Sequence, residues 1–138
     1  MLKVLISGGW DLMHDNHVQT LRKAKEFGDY LVVNVLSDER MHKKKGIHRP
    51  FQPLAERMNV VRELRCVDEV ISIPGEKYPL YKAIDAAKPD IVLINIDEQP
   101  DISNEENYCR ARRIRVIGLH RIDEGVSTTK LVEILKSA

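Results

Sequence analysis

The amino-acid sequence predicts an α/β fold: a doubly wound, five-stranded parallel sheet in one domain, residues 1–138. Three observations carry that expectation. Short runs rich in Val, Ile and Leu alternate with stretches of helical periodicity along the whole chain. Those runs are apolar on successive residues, not on every second one, as strands covered on both faces must be. Between runs there is enough chain for a helix to return the backbone to the same end of the sheet, which parallel pairing demands. The predicted architecture is Rossmann-like.

The elements follow in order. "LKVLIS" is the first strand, and Asn16–Phe27 has the apolar spacing of a helix, with Gly28 where a helix should end. "YLVVNVLSD" is the second strand, ending in Asp38, and the segment from Asp38 to Phe51 is read as a loop. Pro53 can open a helix in its first turn, continued by "LAERMNVVRELRC". "DEVISI" is the third strand, closed by Pro74-Gly75, and "YPLYKAIDAA" is a helix that stops before Pro89. "DIVLINI" is the fourth strand and "SNEENYCRAR" a helix with a Ser/Asn cap. "IRVIGLH" is the fifth strand, and "STTKLVEILKSA" a last helix opened by Ser/Thr.

Composition narrows the function classes. With 138 residues, 43% of them hydrophobic and 31% charged, the chain fits one soluble core, and no apolar run reaches the length of a membrane span. A net charge of +1 argues against a nucleic-acid binder working through bulk electrostatics. Two cysteines are too few for a disulfide framework or a four-ligand zinc site, and "MLKVLIS" is no leader peptide, so the expected location is the cytoplasm.

In a doubly wound sheet, ligands bind beyond the carboxyl ends of the strands. Three polar segments follow strands here: Gly8–His17, Asp38–Phe51 and His120–Thr128. Gly8-Gly9 permits close approach of a ligand to the backbone. His14 and His17, three apart at a helix start, can present both imidazoles on one face where free N–H groups already favour an anion. The plainer alternative is a helix capped by Asp15 or Asn16 with two surface histidines. Likewise Lys43, Lys44, Lys45, His48 and Arg49 could be a solvated charge run, and Ser127-Thr128 an ordinary cap.

Taken together, "GGWDLMHDNH" resembles the G-x-F-D-x-x-H-x-G-H signature of the cytidylyltransferase-like nucleotidyltransferases, and "RIDEGVSTTKLVEIL" resembles that family's R-T-x-G-I-S-T-T segment. "GDYLVVNVLSDE", "KGIHRPFQPLAERM" and "RCVDEVI" fall in the same order and spacing, so the resemblance spans the chain. Its branches include glycerol-3-phosphate cytidylyltransferase and the heptose 1-phosphate adenylyltransferase domain. The resemblance implies transfer of a nucleoside monophosphate from ATP or CTP, with magnesium, to a phosphorylated sugar or polyol, and a homodimer. It implies catalytic roles for His14, His17 and Lys45. It implies nucleotide contacts from Gly8, Gly9, Trp10, Asn16, Asp97, Arg121, Gly125, Ser127 and Thr128, and acceptor-side contacts from Asp11, Asp38, Arg57 and Arg65. No protein-bound metal is expected. A nucleotide-binding paralogue without turnover is the alternative.

The chain also departs from the signature. Asn16 stands where the family has glycine, Trp10 where it has phenylalanine, and one extra residue separates Arg121 from Gly125. After the fourth strand, "INID" keeps only Asp97 of the K-G-G-D stretch found in heptose-type relatives.

Overall fold

The computed structural model describes residues 1–120 and 128–137. Five parallel strands form one sheet: β1 (Lys3–Gly8), β2 (Tyr30–Val35), β3 (Glu69–Ile71), β4 (Ile91–Asn95) and β5 (Arg115–Leu119). Their spatial order is β3-β2-β1-β4-β5. The chain therefore winds outward from β1 through β2 to β3, then crosses back to lay β4 on the other side of β1. The switch point lies between β1 and β4, and a crevice opens there at the carboxyl ends of the strands.

Strand pleating divides the core into two layers. Val4 and Ile6 of β1, Leu31 and Val33 of β2 and Leu93 of β4 face one side, where they pack on α1 (Asp15–Lys25) and α3 (Leu54–Arg62) through Leu21, Ala24 and Val61. Leu5, Val32 and Val92 face the other side and meet α4 (Leu80–Ala87) and α5 (Ser103–Arg110) through Leu80, Ala83, Ile84 and Cys109. The pairing of Leu5 with both Val32 and Val92 fixes the register of the central three strands. Each fully buried Leu or Val contributes about 1.5–3 kcal/mol by leaving water. A final helix, α6 (Thr128–Ser137), follows β5. Both cysteines are free thiols. No described helix is long and apolar enough to cross a membrane.

Three local expectations are corrected. Asp38–Phe51 is not all loop: α2 occupies Asp38–Lys45, with the Ser37 hydroxyl accepting the Arg40 backbone N–H at 3.0 Å. In "DERMHKKK" Met41 is the one apolar residue, so no apolar stripe announces the helix; the cap does. Helix α1 ends at Lys25, ahead of Gly28. Gly28 instead gives room to the chain's start, because a Cβ there would lie 2.7 Å from the Leu2 carbonyl oxygen. At α5 the cap position is Ile102, and Asp101 does the capping: its Oδ1 accepts from the Ser103 N–H at 3.0 Å and the Ser103 hydroxyl at 2.6 Å.

Candidate active site

The crevice at the switch point is a cleft of about 730 Å³. Gly8, Gly9, Trp10 and Asp11 form its floor, His14, Asn16, His17 and Thr20 come from the start of α1, and Arg40, Lys44 and Lys45 from α2. Tyr78, Leu80, Asn95, Glu98 and Gln99 close the far end, and Glu133 reaches it from α6. Strand ends at a switch point diverge, which is why residues so far apart in sequence share one hollow.

The two histidines are locked together. His14 is the N-cap of α1, in extended backbone conformation, and His17 is the third residue of the helix. The His14 backbone N–H donates to His17 Nδ1 at 3.2 Å. An imidazole nitrogen that accepts cannot also carry a proton, so the neutral His17 ring holds its proton on Nε2. The rings stack with centroids 3.9 Å apart and planes 20° apart, and the Trp10 ring meets His17 edge-on at 5.6 Å.

The double glycine serves the floor itself. Trp10 is 6% exposed, in the left-handed region at φ 53°, and its indole N–H donates to the Asn34 carbonyl at 3.3 Å. A Cβ on Gly8 would lie 2.7 Å from that ring, and one on Gly9 would lie 2.7 Å from the end of Met41. Both glycines line the cleft, and their missing side chains also leave the space that Trp10 and Met41 fill.

The four acceptor-side candidates are not brought together on the cleft wall: of them only Asp11 lines it. Asp11 lines the cleft, but it is buried with its carboxylate turned to the chain beyond α2, accepting from Arg49 Nε at 3.2 Å, Phe51 N at 2.9 Å and Gln52 N at 3.0 Å. Arg57 is fully buried. Its guanidinium donates to the carbonyls of Gln52, Gly9 and Leu36 and to Asp38 Oδ1, at 2.7–2.9 Å. Arg57 and Asp38 therefore brace the loops beneath the cleft and do not line it. Arg65 precedes β3 at the opposite, amino edge of the sheet, where Asp68 pairs with Lys25 at the tail of α1.

Asp97 is not among the residues that line the described cleft; its Oδ1 lies 2.9 Å from His120 Nδ1, while its neighbours Asn95, Glu98 and Gln99 line the cleft. Lys44 pairs with Glu98 at 3.1 Å across the cleft mouth. Surrounding protein draws the Lys45 ammonium pKa below the ordinary lysine value; Glu98 opposes that, and Arg49 and Lys44 add to it. Arg121, Gly125 and Ser127 lie outside the described residues, as does the side chain of Thr128, the first residue of α6. Among the described residues, no three His, Cys, Asp or Glu side chains converge as a metal site. Arg40, Tyr78 and Gln99 are cleft residues that sequence reasoning missed; nothing local marks them, since only tertiary packing brings them there.

The cytidylyltransferase-like family model matches residues 5–134. The chain belongs to that family. Its members are nucleotidyltransferases, and this chain is one of them. An FAD synthase of Aciduliprofundum boonei is 34% identical over 116 residues, covering 84% of this chain and 75% of its own. The bifunctional protein HldE of Pectobacterium atrosepticum is 33% identical over 137 residues, but this chain spans only 28% of its length. Among solved structures, the lipopolysaccharide core biosynthesis protein of Thermoplasma volcanium superposes with a TM-score of 0.75 at 26% identity, over 91% of this chain and 99% of its own. Pantothenate synthetase of Thermus thermophilus shares the fold, with a TM-score of 0.66 at 14% identity.

Proposed function

We propose that this enzyme transfers an adenylyl group from ATP to the phosphate of a small phosphorylated acceptor, releasing pyrophosphate. The observation that carries the reading is the stacked pair His14–His17 at a helix start, with Lys45 in the same cleft. Adenine is favoured over cytosine by the relatives: FAD contains an AMP unit joined through an anhydride to a flavin phosphate, the type of bond proposed here.

In this reading an oxygen of the acceptor phosphate attacks the α-phosphorus of ATP, and the bond to the bridging oxygen breaks, its electron pair leaving with pyrophosphate. The second pKa of a phosphate monoester is about 6, so the nucleophile is already anionic and no general base is required. The work left to the protein is alignment and charge stabilisation. His17 donates from Nε2–H to the α-phosphate, its tautomer set by the bond at Nδ1. His14 holds that ring by stacking, the α1 N-terminus adds its dipole, and Lys45 offsets the charge of the phosphates. Arg121, Ser127 and Thr128 are proposed to hold the distal phosphates. Among the described residues the cleft carboxylates are Asp11, paired with Arg49, Glu98, paired with Lys44, and Glu133; magnesium is proposed to arrive with the triphosphate as part of the substrate.

The test is pyrophosphate release from ATP, CTP, GTP and UTP, each with sugar phosphates, polyol phosphates and flavin phosphate. ATP with one acceptor class is expected to turn over. A preference for CTP would overturn the adenylyl assignment, and no release from any pair would overturn the reading as a whole.

A further inference from the structure

At the far end of the cleft, three residues from three segments form a continuous hydrogen-bonded chain. The Tyr78 hydroxyl, just ahead of α4, donates to Gln99 Oε1 at 3.0 Å. Gln99 Nε2, in the stretch after β4, donates to Glu105 Oε1 at 2.5 Å. Glu105 is 5% exposed, and its second carboxylate oxygen is buried with no partner among the described residues. Tyr78 and Gln99 line the cleft; Glu105 lies behind them.

We propose that Glu105 is a positioning residue that acts through Gln99 to orient the Tyr78 hydroxyl toward a hydroxyl group of the acceptor. The argument is one of forced direction. A carboxylate only accepts, so the Gln99 amide must turn its NH₂ to Glu105 and its oxygen to Tyr78. The phenol must then donate to Gln99, which leaves the lone pairs of its oxygen facing the cleft as an acceptor. The guanidinium of Arg40, 5.5 Å from the ring centroid, and the Tyr81 ring, edge-on at 6.0 Å, hold the phenol in place. Burial, reinforced by Glu105, raises the Tyr78 pKa to about 12, so the hydroxyl keeps the proton it donates.

This inference rests on the proposed adenylyl transfer, which seats the polyphosphate at the α1 start. Tyr78 and Glu105 belong to the α4/α5 layer on the other face of the sheet, so their end of the cleft is left to the acceptor. The ligand chemistry they fit is a hydrogen-bond donor, a hydroxylated phosphate ester. A glutamate in the first turn of a helix also favours that helix by charge alone, so stability cannot decide the matter.

Steady-state kinetics of the full chain with ATP and its turnover-supporting phosphate ester would decide it, using Tyr78→Phe, Glu105→Leu and the double variant. Each single variant is expected to raise the KM of the acceptor about fivefold to tenfold, the worth of one net hydrogen bond, with the KM of ATP within about twofold. The double variant should be no worse than Tyr78→Phe, because both break one chain. Gln99→Met replaces Glu105→Leu should the latter fail to fold. An unchanged acceptor KM in folded, active variants, or a raised KM for ATP in its place, overturns the relay while leaving adenylyl transfer standing. If the wild-type chain turns over no ester with ATP, adenylyl transfer itself falls and takes the relay with it.

Discussion

His17 Nδ1 accepts the backbone N–H of His14 at 3.2 Å, so an imidazole that lines the cleft also closes the start of α1; its Nε2–H is the donor in the proposed reaction. The two tasks can be separated by substitution. His17→Ala removes both: a rate loss of about 10²–10³, typical of one preorganised donor, and about 1 kcal/mol of stability, typical of a helix cap. The side-chain oxygen of His17→Asn can accept the His14 N–H again, so this variant should regain stability and not rate. Equal rate losses with no stability difference between the two variants, by calorimetry and turnover, would remove the capping role.

Arg57 is expected to fail as a binding residue and succeed as a brace. Arg57→Leu strips donors from the Gln52, Gly9 and Leu36 carbonyls and leaves Asp38 without its buried partner, at an expected cost of about 3–5 kcal/mol. Arg57→Lys should rescue little, since a single ammonium cannot span a fork of four acceptors. Thermal unfolding checks this. A stable variant with weakened substrate binding would restore the contact role expected from sequence.

Gly8 and Gly9 should respond unequally to an added methyl. Gly8→Ala drives a Cβ against the rigid, buried Trp10 ring, an overpacking of about 1–3 kcal/mol, and displaces the ring edge from His17. Gly9→Ala meets only the flexible end of Met41 and should cost less. Equal Tm shifts for the two would show that the floor yields as readily as the side chain.

Lys45 offers a pH signature. Its pKa is lowered, so its charge, and any rate that depends on it, is present at low pH and lost as pH rises through that lowered value. The alkaline limb of kcat/KM, which reports the free enzyme, should therefore fall below the ordinary lysine range. Lys45→Arg keeps the charge at every accessible pH and should erase that limb. A limb that persists in Lys45→Arg belongs to another group.

The double winding, the identity of each strand and the placement of a cleft beyond the strand ends were legible in the sequence. Fully buried strands announce themselves by unbroken Val/Ile/Leu runs, and helices joining them leave only a parallel sheet. The histidine pair was legible too, because residues three apart at a helix start must be neighbours whatever surrounds them. Helix α2 was not, since its eight residues bury only Met41 and periodicity had nothing to report.

What only the tertiary structure decided is which polar groups face the cleft and which face the protein. Asp11, Asp38 and Arg57 have the chemistry of ligand contacts, yet they are turned to backbone groups and to one another. Tyr78, Gln99 and Glu105 carry no local signal, yet they converge from three segments on one wall. The reason is physical. Strand and helix identity follow from interactions between residues near in sequence, whereas the direction of a polar side chain is set by whichever buried N–H, carbonyl or charge must be satisfied, and those partners are supplied by distant parts of the chain.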